Sequence, residues 1–288
     1  MTSGARFREL VDRDEILLAV GGFDALSAKL VQRAGGEVAY MSGSAVSTSV
    51  HGKPDVGLTT MTEMVERARS FVEAVDVPVF CDADTGYGNP LNVRRTVQQF
   101  ERAGVAAVHL EDQRFPKRCG HFEGKSVVPQ SEMERKLAAA VDAREDLAIV
   151  ARTDAAAVTD LDDAVERARA YGEAGADVLF VEAPESREEL RYVADELADY
   201  PLLVNMVEGG KTPLVPADEL EAMGFDVALF PTTGQKAMAK ALQRVYGEIF
   251  AEGTQEAVLD ELVTWEERNE ITGLDRMNEL EARYAAEE

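Results

Sequence analysis

The sequence has few of the residues that stabilise secreted or membrane proteins. Among its 288 residues there are two cysteines, three histidines and one tryptophan. Two cysteines cannot supply a disulfide framework, so a reducing compartment is expected. No apolar run approaches the ~20 residues that span a bilayer, and the N-terminus lacks the apolar core of a signal peptide. We therefore expect a cytoplasmic protein that does not enter a membrane.

Positive charge is also scarce. The chain has 30 Lys and Arg against 54 Asp and Glu, which leaves a net charge of −24. Such a surface repels nucleic acid and anionic membranes, so we expect neither as a partner. We interpret the acidic excess as a solvated, salt-adapted surface, with cation storage or an acidic-tail role as the alternative.

The sequence does contain a repeating plan of short apolar runs. The eight runs lie within residues 16–24, 33–43, 77–86, 102–112, 147–155, 173–183, 200–209 and 222–232. Nearly continuous apolar runs of about five residues are typical of parallel strands that are buried on both faces. Stretches with helical spacing separate them, at 62–74, 92–103, 132–144, 162–174, 188–197 and 236–252.

Eight strands alternating with helices over about 240 residues predict a (β/α)8 TIM barrel. An open doubly wound sheet is the alternative, but no GxGxxG turn follows the first strand. We place the barrel domain at residues 1–252 and a helical extension at residues 253–288. Apolar residues recur every three or four positions in the extension, at Ile271, Leu274, Met277, Leu280 and Tyr284. This amphipathic helix either caps the barrel or packs on a neighbouring subunit, and we favour the second.

Carboxylates follow two neighbouring strands of the predicted barrel. Asp82 and Asp84 are two residues apart, so they point to the same side, and Glu111 ends the next strand. Barrel active sites lie at this end of the strands. Three carboxylates there would repel one another without a cation, and hard oxygen ligands suit Mg²⁺ or Mn²⁺. We predict a metal site, with an acidic rim as the alternative, and interpret Asp112 and Asp154 as caps or loop-ordering groups.

Other polar residues at the strand ends are candidates for binding a substrate. Arg152 and Glu182 follow adjacent strands and are expected to pair, so that Arg152 can bind a carboxylate in a bidentate way. A purely structural ion pair is the alternative. His109 lies inside a strand and is expected to be a hydrogen-bonded core residue. The remaining candidates are an anion cradle of Ser42, Gly43 and Ser44, and a donor to an oxyanion, Asn205.

One segment, KRCGHFEGK at residues 117–125, brings rare reactive side chains together. It belongs to a connection over 113–129 that is long for a βα loop, and such loops often act as lids. Lys117, Arg118 and His121 would favour the thiolate and lower the pKa of Cys119 below ~8.5. Cys119 is therefore a candidate nucleophile or general acid/base. Cys81, inside an apolar strand, is expected to be buried and inert.

Several segments resemble the isocitrate lyase and phosphoenolpyruvate mutase superfamily. They are YMSGS, KPDVGLTT, DADTGYGN, HLEDQ, PKRCGHFEGK, ARTDA and NMVEGGKTPL, in the order and spacing of that family. The resemblance covers essentially the whole chain, which is similar in size to the short members that act on 2-methylisocitrate. It implies a (β/α)8 barrel with a helix swapped between subunits, usually in a homotetramer.

The resemblance also implies roles for individual residues. Asp84 would contact Mg²⁺ directly, while Asp82 and Glu111 would hold it through water. Asp55 would lie beside the metal, and Cys119 would be the lid acid/base. The residues implied in binding the keto acid are Ser42, Gly43, Ser44, Gly120 and Arg152.

The implied activity is Mg²⁺-dependent cleavage of a carbon–carbon bond in a 2-hydroxy di- or tricarboxylate, with 2-methylisocitrate giving pyruvate and succinate as the leading case. A base removes the hydroxyl proton, and Cys119 protonates the departing carbanion. The base is His121, Arg152 with Glu182, or a metal-bound hydroxide. The alternatives are dimethylmalate or isocitrate lyase activity, a phosphonomutase acting on phosphoenolpyruvate or carboxyphosphonoenolpyruvate, and a degenerate keto-acid-binding barrel. Methylisocitrate lyases read CGHRPNK where this chain reads CGHFEGK, so Phe122 indicates a smaller or less charged distal group on the substrate.

Overall fold

A computed structural model gives the fold of the protein and describes residues 2–118, 120 and 124–285. The chain divides into two compact units, one ending at Gly234 and one beginning at Gln235. In the first unit, eight parallel strands form a closed barrel in sequential order, which confirms the predicted (β/α)8 fold. The strands are β1 (Leu17–Gly22), β2 (Ala39–Met41), β3 (Val79–Asp82), β4 (Ala107–Glu111), β5 (Ala148–Thr153), β6 (Val178–Val181), β7 (Leu202–Asn205) and β8 (Val227–Phe230).

Helices surround the barrel and continue into the second unit. They are α1 (Ser3–Val11), α2 (Ala25–Arg33), α3 (Gly43–His51), α4 (Met61–Ala74), α5 (Pro90–Arg102), α6 (Gln130–Ala143), α7 (Leu161–Glu173), α8 (Arg187–Glu196), α9 (Ala217–Met223), α10 (Thr233–Glu252), α11 (Trp265–Thr272) and α12 (Leu274–Tyr284). The six segments with helical spacing all form helices, and their ends agree with the prediction to within three residues. None of the helices in the described parts of the chain is long and apolar enough to cross a bilayer.

The strands are buried as their apolar sequences require. Every position of β2 to β7 is buried, because helices cover the outer face and side chains fill the inner one. The strand register pairs Asp82 with His109 and Glu111 with Arg152. Residues from three different strands thus meet at one end of the barrel.

Helix α1 closes the opposite end of the barrel. Phe7 and Val11 are buried in the central apolar cluster, and the Phe7 and Phe80 rings lie 5.5 Å apart. The Arg8 guanidinium anchors the helix, since its Nε donates to Asp177 just before β6 at 2.9 Å. The backbone of Gly4 donates to the Asp146 carboxylate before β5 at 2.7 Å.

The second unit contains most of α10, a 3₁₀ turn over Glu256–Glu261, and helices α11 and α12. The extension is helical, as predicted, and it contains two helices because α11 ends at Gly273, which has φ of +77°. Glycine adopts this left-handed backbone at little steric cost. Large apolar side chains of this unit are exposed, including Phe250 at 88% and Trp265 at 69%. The domain boundary after residue 252 and the helix swap stay predictions.

Candidate active site

One pocket at the C-terminal ends of the strands collects most of the predicted site residues. It encloses about 490 Å³ of empty space with its open side included. The predicted residues that line it are Ser42, Ser44, Asp55, Asp82, Glu111, Gly120, Arg152, Glu182 and Asn205. Gly43 and Asp84 lie directly behind this lining, in contact with Asp82. Cys119 and His121 lie outside the described residues.

Four buried carboxylates lie in or directly behind the pocket lining near the ends of β3 and β4. The residues are Asp55, Asp82, Asp84 and Glu111, each no more than 8% exposed. Asp84 has φ of +48°, a left-handed backbone that is rare outside glycine and is often found at functional sites. Its backbone N–H donates to Oδ1 of Asp82 at 2.9 Å, which fixes the Asp82 carboxylate against the Asp84 backbone.

Lys117 supplies positive charge to this acidic group. Its Nζ lies 2.6 Å from Oδ1 of Asp55 and 2.6 Å from Oδ1 of Asp84. Although burial acts in the other direction, Asp84, Asp82 and Asp55 hold the pKa of Lys117 well above its ordinary value. The sequence indicated Lys117 only as a cation near Cys119, whereas the structure directs its ammonium group into the carboxylates.

Burial and mutual repulsion weaken the acidity of two of these carboxyl groups. Burial, with added repulsion from Asp82 and Asp55, raises the pKa of Asp84 to about 7 despite the nearby Lys117 ammonium. Burial likewise raises the pKa of Glu111 well above its ordinary value, although Arg152 opposes this. A divalent cation would offset the repulsion between these carboxylates and favour their ionised forms, so protons would be released when it binds.

The chemistry of these donors fits a hard divalent cation. Within the described ranges, no three His, Cys, Asp or Glu side chains already converge as a metal-ligand cluster. However, Oε1 of Glu111 is buried and has no hydrogen-bond partner among the described residues. Asp82 and Asp84 add further carboxylate oxygens from the end of β3. Oxygen donors of this kind are those that Mg²⁺ prefers.

Arg152 and Glu182 form the predicted ion pair across β5 and β6. Nη1 of Arg152 lies 3.1 Å from Oε2 of Glu182, which is fully buried. The amide nitrogen of Asn205 donates to both Glu182 oxygens at 3.2 and 3.3 Å. The Asn205 carbonyl oxygen and Oγ1 of Thr232 are buried without hydrogen-bond partners in the described part of the chain. Unsatisfied polar atoms beside a guanidinium are suited to a polar ligand.

The predicted anion cradle is the beginning of a helix. Ser42 is the N-cap of α3, and its Oγ accepts a hydrogen bond from the Ala45 backbone at 3.2 Å. The first N–H groups of a helix have no acceptors within the helix, so those of Gly43 and Ser44 are available to an anion. A Cβ atom on Gly43 would lie 2.8 Å from Cγ of Asp82, which explains the glycine.

Two further groups support the pocket from below. Nε2 of His109 and the Tyr40 hydroxyl are 2.8 Å apart, as expected for a hydrogen-bonded core histidine. Burial lowers the pKa of His109, so the ring is neutral. Cys81 is fully buried, as expected, and burial raises the pKa of its thiol well above the ordinary value.

Asp112 organises the backbone behind β4 and β5, which confirms its interpretation as an ordering group. Its Oδ1 accepts from the Asp154 backbone at 2.9 Å. Its Oδ2 accepts from the Thr153 and Tyr171 hydroxyls at 2.7 and 2.9 Å. Asp154 in turn holds Arg152 and Lys125. Lys125 belongs to the basic segment KRCGHFEGK, but nothing in the sequence indicated this contact.

Comparison with known proteins places the chain in a family. A family model described as phosphoenolpyruvate phosphomutase matches residues 7–250. The chain belongs to this family. One member, 2,3-dimethylmalate lyase of Eubacterium barkeri, is 46% identical over 287 residues, covering 99% of both chains. Another, 2-methylisocitrate lyase of Halalkalibacterium halodurans, is 45% identical over 280 residues, covering 97% of this chain and 93% of the relative.

A solved structure of another phosphomutase-family protein extends the comparison to a bound ligand. It is phosphonopyruvate hydrolase in complex with oxalate and Mg²⁺, at 30% identity and a TM-score of 0.89. The match covers 99% of both chains.

Proposed function

We propose that this protein is a Mg²⁺-dependent carbon–carbon lyase that cleaves a 2-hydroxy di- or tricarboxylate, with 2-methylisocitrate as the first candidate. The observation that carries the proposal is the Arg152–Glu182 pair, which faces the same pocket as the buried carboxylates of β3 and β4. A cation for a substrate carboxylate and oxygen donors for a metal are thus brought together. The relatives named 2-methylisocitrate lyase support the choice of substrate.

In this proposal Asp82, Asp84 and Glu111 hold Mg²⁺. When bound, the ion neutralises their charge and stabilises negative charge on the oxygens of the keto acid. Arg152, kept in place by Glu182 and Asp154, binds the substrate carboxylate through the N–H groups that these two partners leave available. The N–H groups at the start of α3 bind the remaining oxygens.

The reaction breaks one carbon–carbon bond and transfers two protons. A base removes the hydroxyl proton, the adjacent carbon–carbon bond breaks, and its electron pair stays on the departing fragment. Sγ of Cys119 then protonates that carbanion, which releases succinate and leaves pyruvate. His121, or Glu182 acting next to Arg152, is the base in this scheme. These roles for Cys119 and His121 derive from the sequence.

A second candidate substrate is 2,3-dimethylmalate. The relative that acts on it is 46% identical to this chain over 99% of both lengths. The pocket wall formed by Val207, Leu229 and Pro231 is apolar and suits methyl groups. Arg118, at the same pocket, favours instead a third carboxylate. Of the two substrates only 2-methylisocitrate has a third carboxylate, so a direct comparison of their turnover shows which one the pocket prefers.

The experiment is a panel of 2-methylisocitrate, 2,3-dimethylmalate, isocitrate, oxaloacetate and phosphoenolpyruvate, assayed with Mg²⁺ and after its removal by a chelator. We expect release of pyruvate that depends on Mg²⁺. Cys119→Ala should lower kcat by about 10²–10⁴ while oxalate still binds. Cys81→Ala makes the same chemical change inside β3 and is the matched control, which should keep turnover.

Two results would contradict the proposal. Failure of every acid in the panel to release a keto acid would exclude the lyase, and consumption of phosphoenolpyruvate alone would favour a phosphonomutase. Normal turnover by Cys119→Ala would leave the lyase in place and remove the assigned proton donor.

We also propose that the protein is a homo-oligomer, a tetramer by resemblance, in which the C-terminal extension packs on a neighbouring subunit. Leu18 on the outer side of β1 and Leu26 and Leu30 on α2 are each at least 44% exposed, which makes an apolar surface for a second copy. Light scattering of the full chain, compared with a chain ending at residue 252, tests this. A monomeric full-length protein would be inconsistent with it.

A further inference from the structure

A lysine in the loop between β4 and α6 is buried against the strand ends. This loop, residues 113–127, begins and ends at an antiparallel bridge between Gln113 and Val127. The Lys125 side chain is only 2% exposed, and its Nζ lies 2.8 Å from Oδ1 of Asp154. The same Nζ donates to the carbonyl oxygen of Gly120. Burial of an ammonium group is costly unless it is paired, so these two partners are required.

The same aspartate also holds the proposed substrate-binding arginine. Oδ2 of Asp154 accepts from Nε of Arg152 at 2.9 Å, and Oδ1 accepts from Nη2 at 3.0 Å. One fully buried carboxylate therefore joins a cation from the loop to a cation from the barrel. Although burial opposes it, Arg152 and Lys125 hold the pKa of Asp154 well below its ordinary value, so the carboxylate stays ionised.

The backbone of Gly120 completes the connection. A Cβ atom at Gly120 would lie 2.7 Å from Cδ of Glu182, so this backbone packs directly on the Arg152–Glu182 pair. The Gly120 carbonyl is held by Lys125, Lys125 by Asp154, and Asp154 by Arg152. A continuous series of contacts therefore connects the loop to the pocket.

We propose that Lys125 and Asp154 are positioning residues that couple the placement of Gly120, in the loop between β4 and α6, to the binding of a substrate carboxylate at Arg152. This rests on the proposed function for the role of Arg152. A carboxylate that fixes the guanidinium also fixes Asp154, and through it the ammonium group that holds Gly120. Because such coupling is reciprocal, a well-seated loop also improves anion binding.

The readout is amide hydrogen exchange of the loop with and without oxalate and Mg²⁺. In the wild-type protein, oxalate should slow exchange of the loop amides by about tenfold or more. Lys125→Met keeps the length of the side chain but removes its charge. It should still bind oxalate, since Arg152 is intact, but oxalate should no longer protect the loop. Lys125→Arg should restore part of the protection.

Activity and a matched control sharpen the test. Lys125→Met should lower kcat/KM by about 10²-fold, because a displaced loop misaligns the reacting groups. Arg187→Met removes the cation of an ion pair with Glu219 between α8 and α9, away from the pocket, and should change neither property. Asp154→Asn should weaken oxalate binding as well as loop protection.

A double-mutant cycle decides whether Lys125 and Asp154 act together. Lys125→Met combined with Asp154→Asn should be no worse than Asp154→Asn alone, because both changes break the same series of contacts. Fully additive losses, or oxalate protection of the loop in Lys125→Met equal to that of the wild type, would overturn the proposal.

Failure of the proposed function would be recognised separately. A wild-type protein that neither binds oxalate nor cleaves any acid would contradict the lyase and, with it, the coupling to a substrate. In that case, amide hydrogen exchange of the loop in the ligand-free protein still tests whether Lys125 holds the loop in place. Lys125→Met should speed it by about tenfold relative to Arg187→Met, and equal exchange would show that Lys125 does not hold the loop.

Discussion

The ammonium group of Lys117 lies 2.6 Å from Oδ1 of Asp84, deep in the pocket and 3% exposed. A loop residue thus compensates a carboxylate of the proposed metal site. Removal of one partner from a buried ion pair leaves an uncompensated charge, which is costly. This group of buried carboxylates therefore depends on cations for its stability.

Lys117→Met should destabilise the protein without Mg²⁺ by about 3–5 kcal/mol, because Asp55 and Asp84 lose their partner. Added Mg²⁺ should recover more stability in this variant than in the wild type. Thermal unfolding with and without Mg²⁺ measures both effects. Lys117→Arg, which keeps the charge, is the control. If Mg²⁺ stabilised Lys117→Met and the wild type equally, Lys117 would have no influence on the metal site.

The pH dependence of stability should report the buried carboxyl groups. Between its unfolded value of 3.8 and about 7, Asp84 keeps a proton in the folded state that the unfolded chain has released. The stability of the metal-free protein should therefore fall as pH rises through this window. Because Mg²⁺ binds the ionised form, the rise in Tm that it causes should be larger at about pH 8 than at about pH 6.

Asp84→Asn is the control for this prediction. It removes the titrating group with little change of shape, so the decline of Tm with pH in the metal-free protein should become shallower. The raised pKa of Glu111 contributes in the same direction and remains in the variant. Identical slopes in the wild type and Asp84→Asn would show that Asp84 titrates normally.

Gly120→Ala should damage the pocket through a single methyl group. The new Cβ would collide with Glu182, so either the loop or the Arg152–Glu182 pair must move. We expect a fall in kcat/KM of about 10²-fold together with weaker oxalate binding, measured by calorimetry. Gly247→Ala, in α10, adds a methyl group where no atom lies within 4 Å and should keep full activity. Unchanged kinetics in Gly120→Ala would mean that the loop does not pack on this pair during turnover.

The Asp112 network should contribute mainly to stability. Asp112→Asn should cost about 2–4 kcal/mol, because a buried charged acceptor is lost and donors from β5 and α7 are left unpaired. Tyr171→Phe removes one of these donors and should cost about 1 kcal/mol. Chemical denaturation measures both. Equal effects would show that the hydroxyl of Tyr171 dominates the network.

The barrel could be predicted from the sequence because strand burial and helix amphipathicity are local patterns. Residues that directly follow apolar strands, such as Arg152 and Glu182, could be assigned to the pocket for the same reason, since all strands end at one rim. The last segment was predicted to be helical, but its division into two helices at Gly273 could not be predicted from apolar spacing, because that spacing continues across a residue that ends a helix.

The contacts of the loop lysines could not be predicted in this way. Lys117 reaches Asp55 and Lys125 reaches Asp154 from a segment without periodicity, across long separations in sequence. Periodic patterns carry no information about such pairs. The available signal was compositional, because a buried role is a reason for an acidic chain to keep cations in one short segment.

Helix α1 affects the route by which reaction products can leave the barrel. Phe7 and Val11 fill the end of the barrel opposite the pocket, so among the described residues the barrel interior is open toward the pocket and blocked at the other end. If a substrate acid is cleaved in the pocket, we expect ordered product release, in which the fragment nearer the open end leaves first. The pattern of product inhibition, competitive for the last fragment to leave and noncompetitive for the first, would reveal their order.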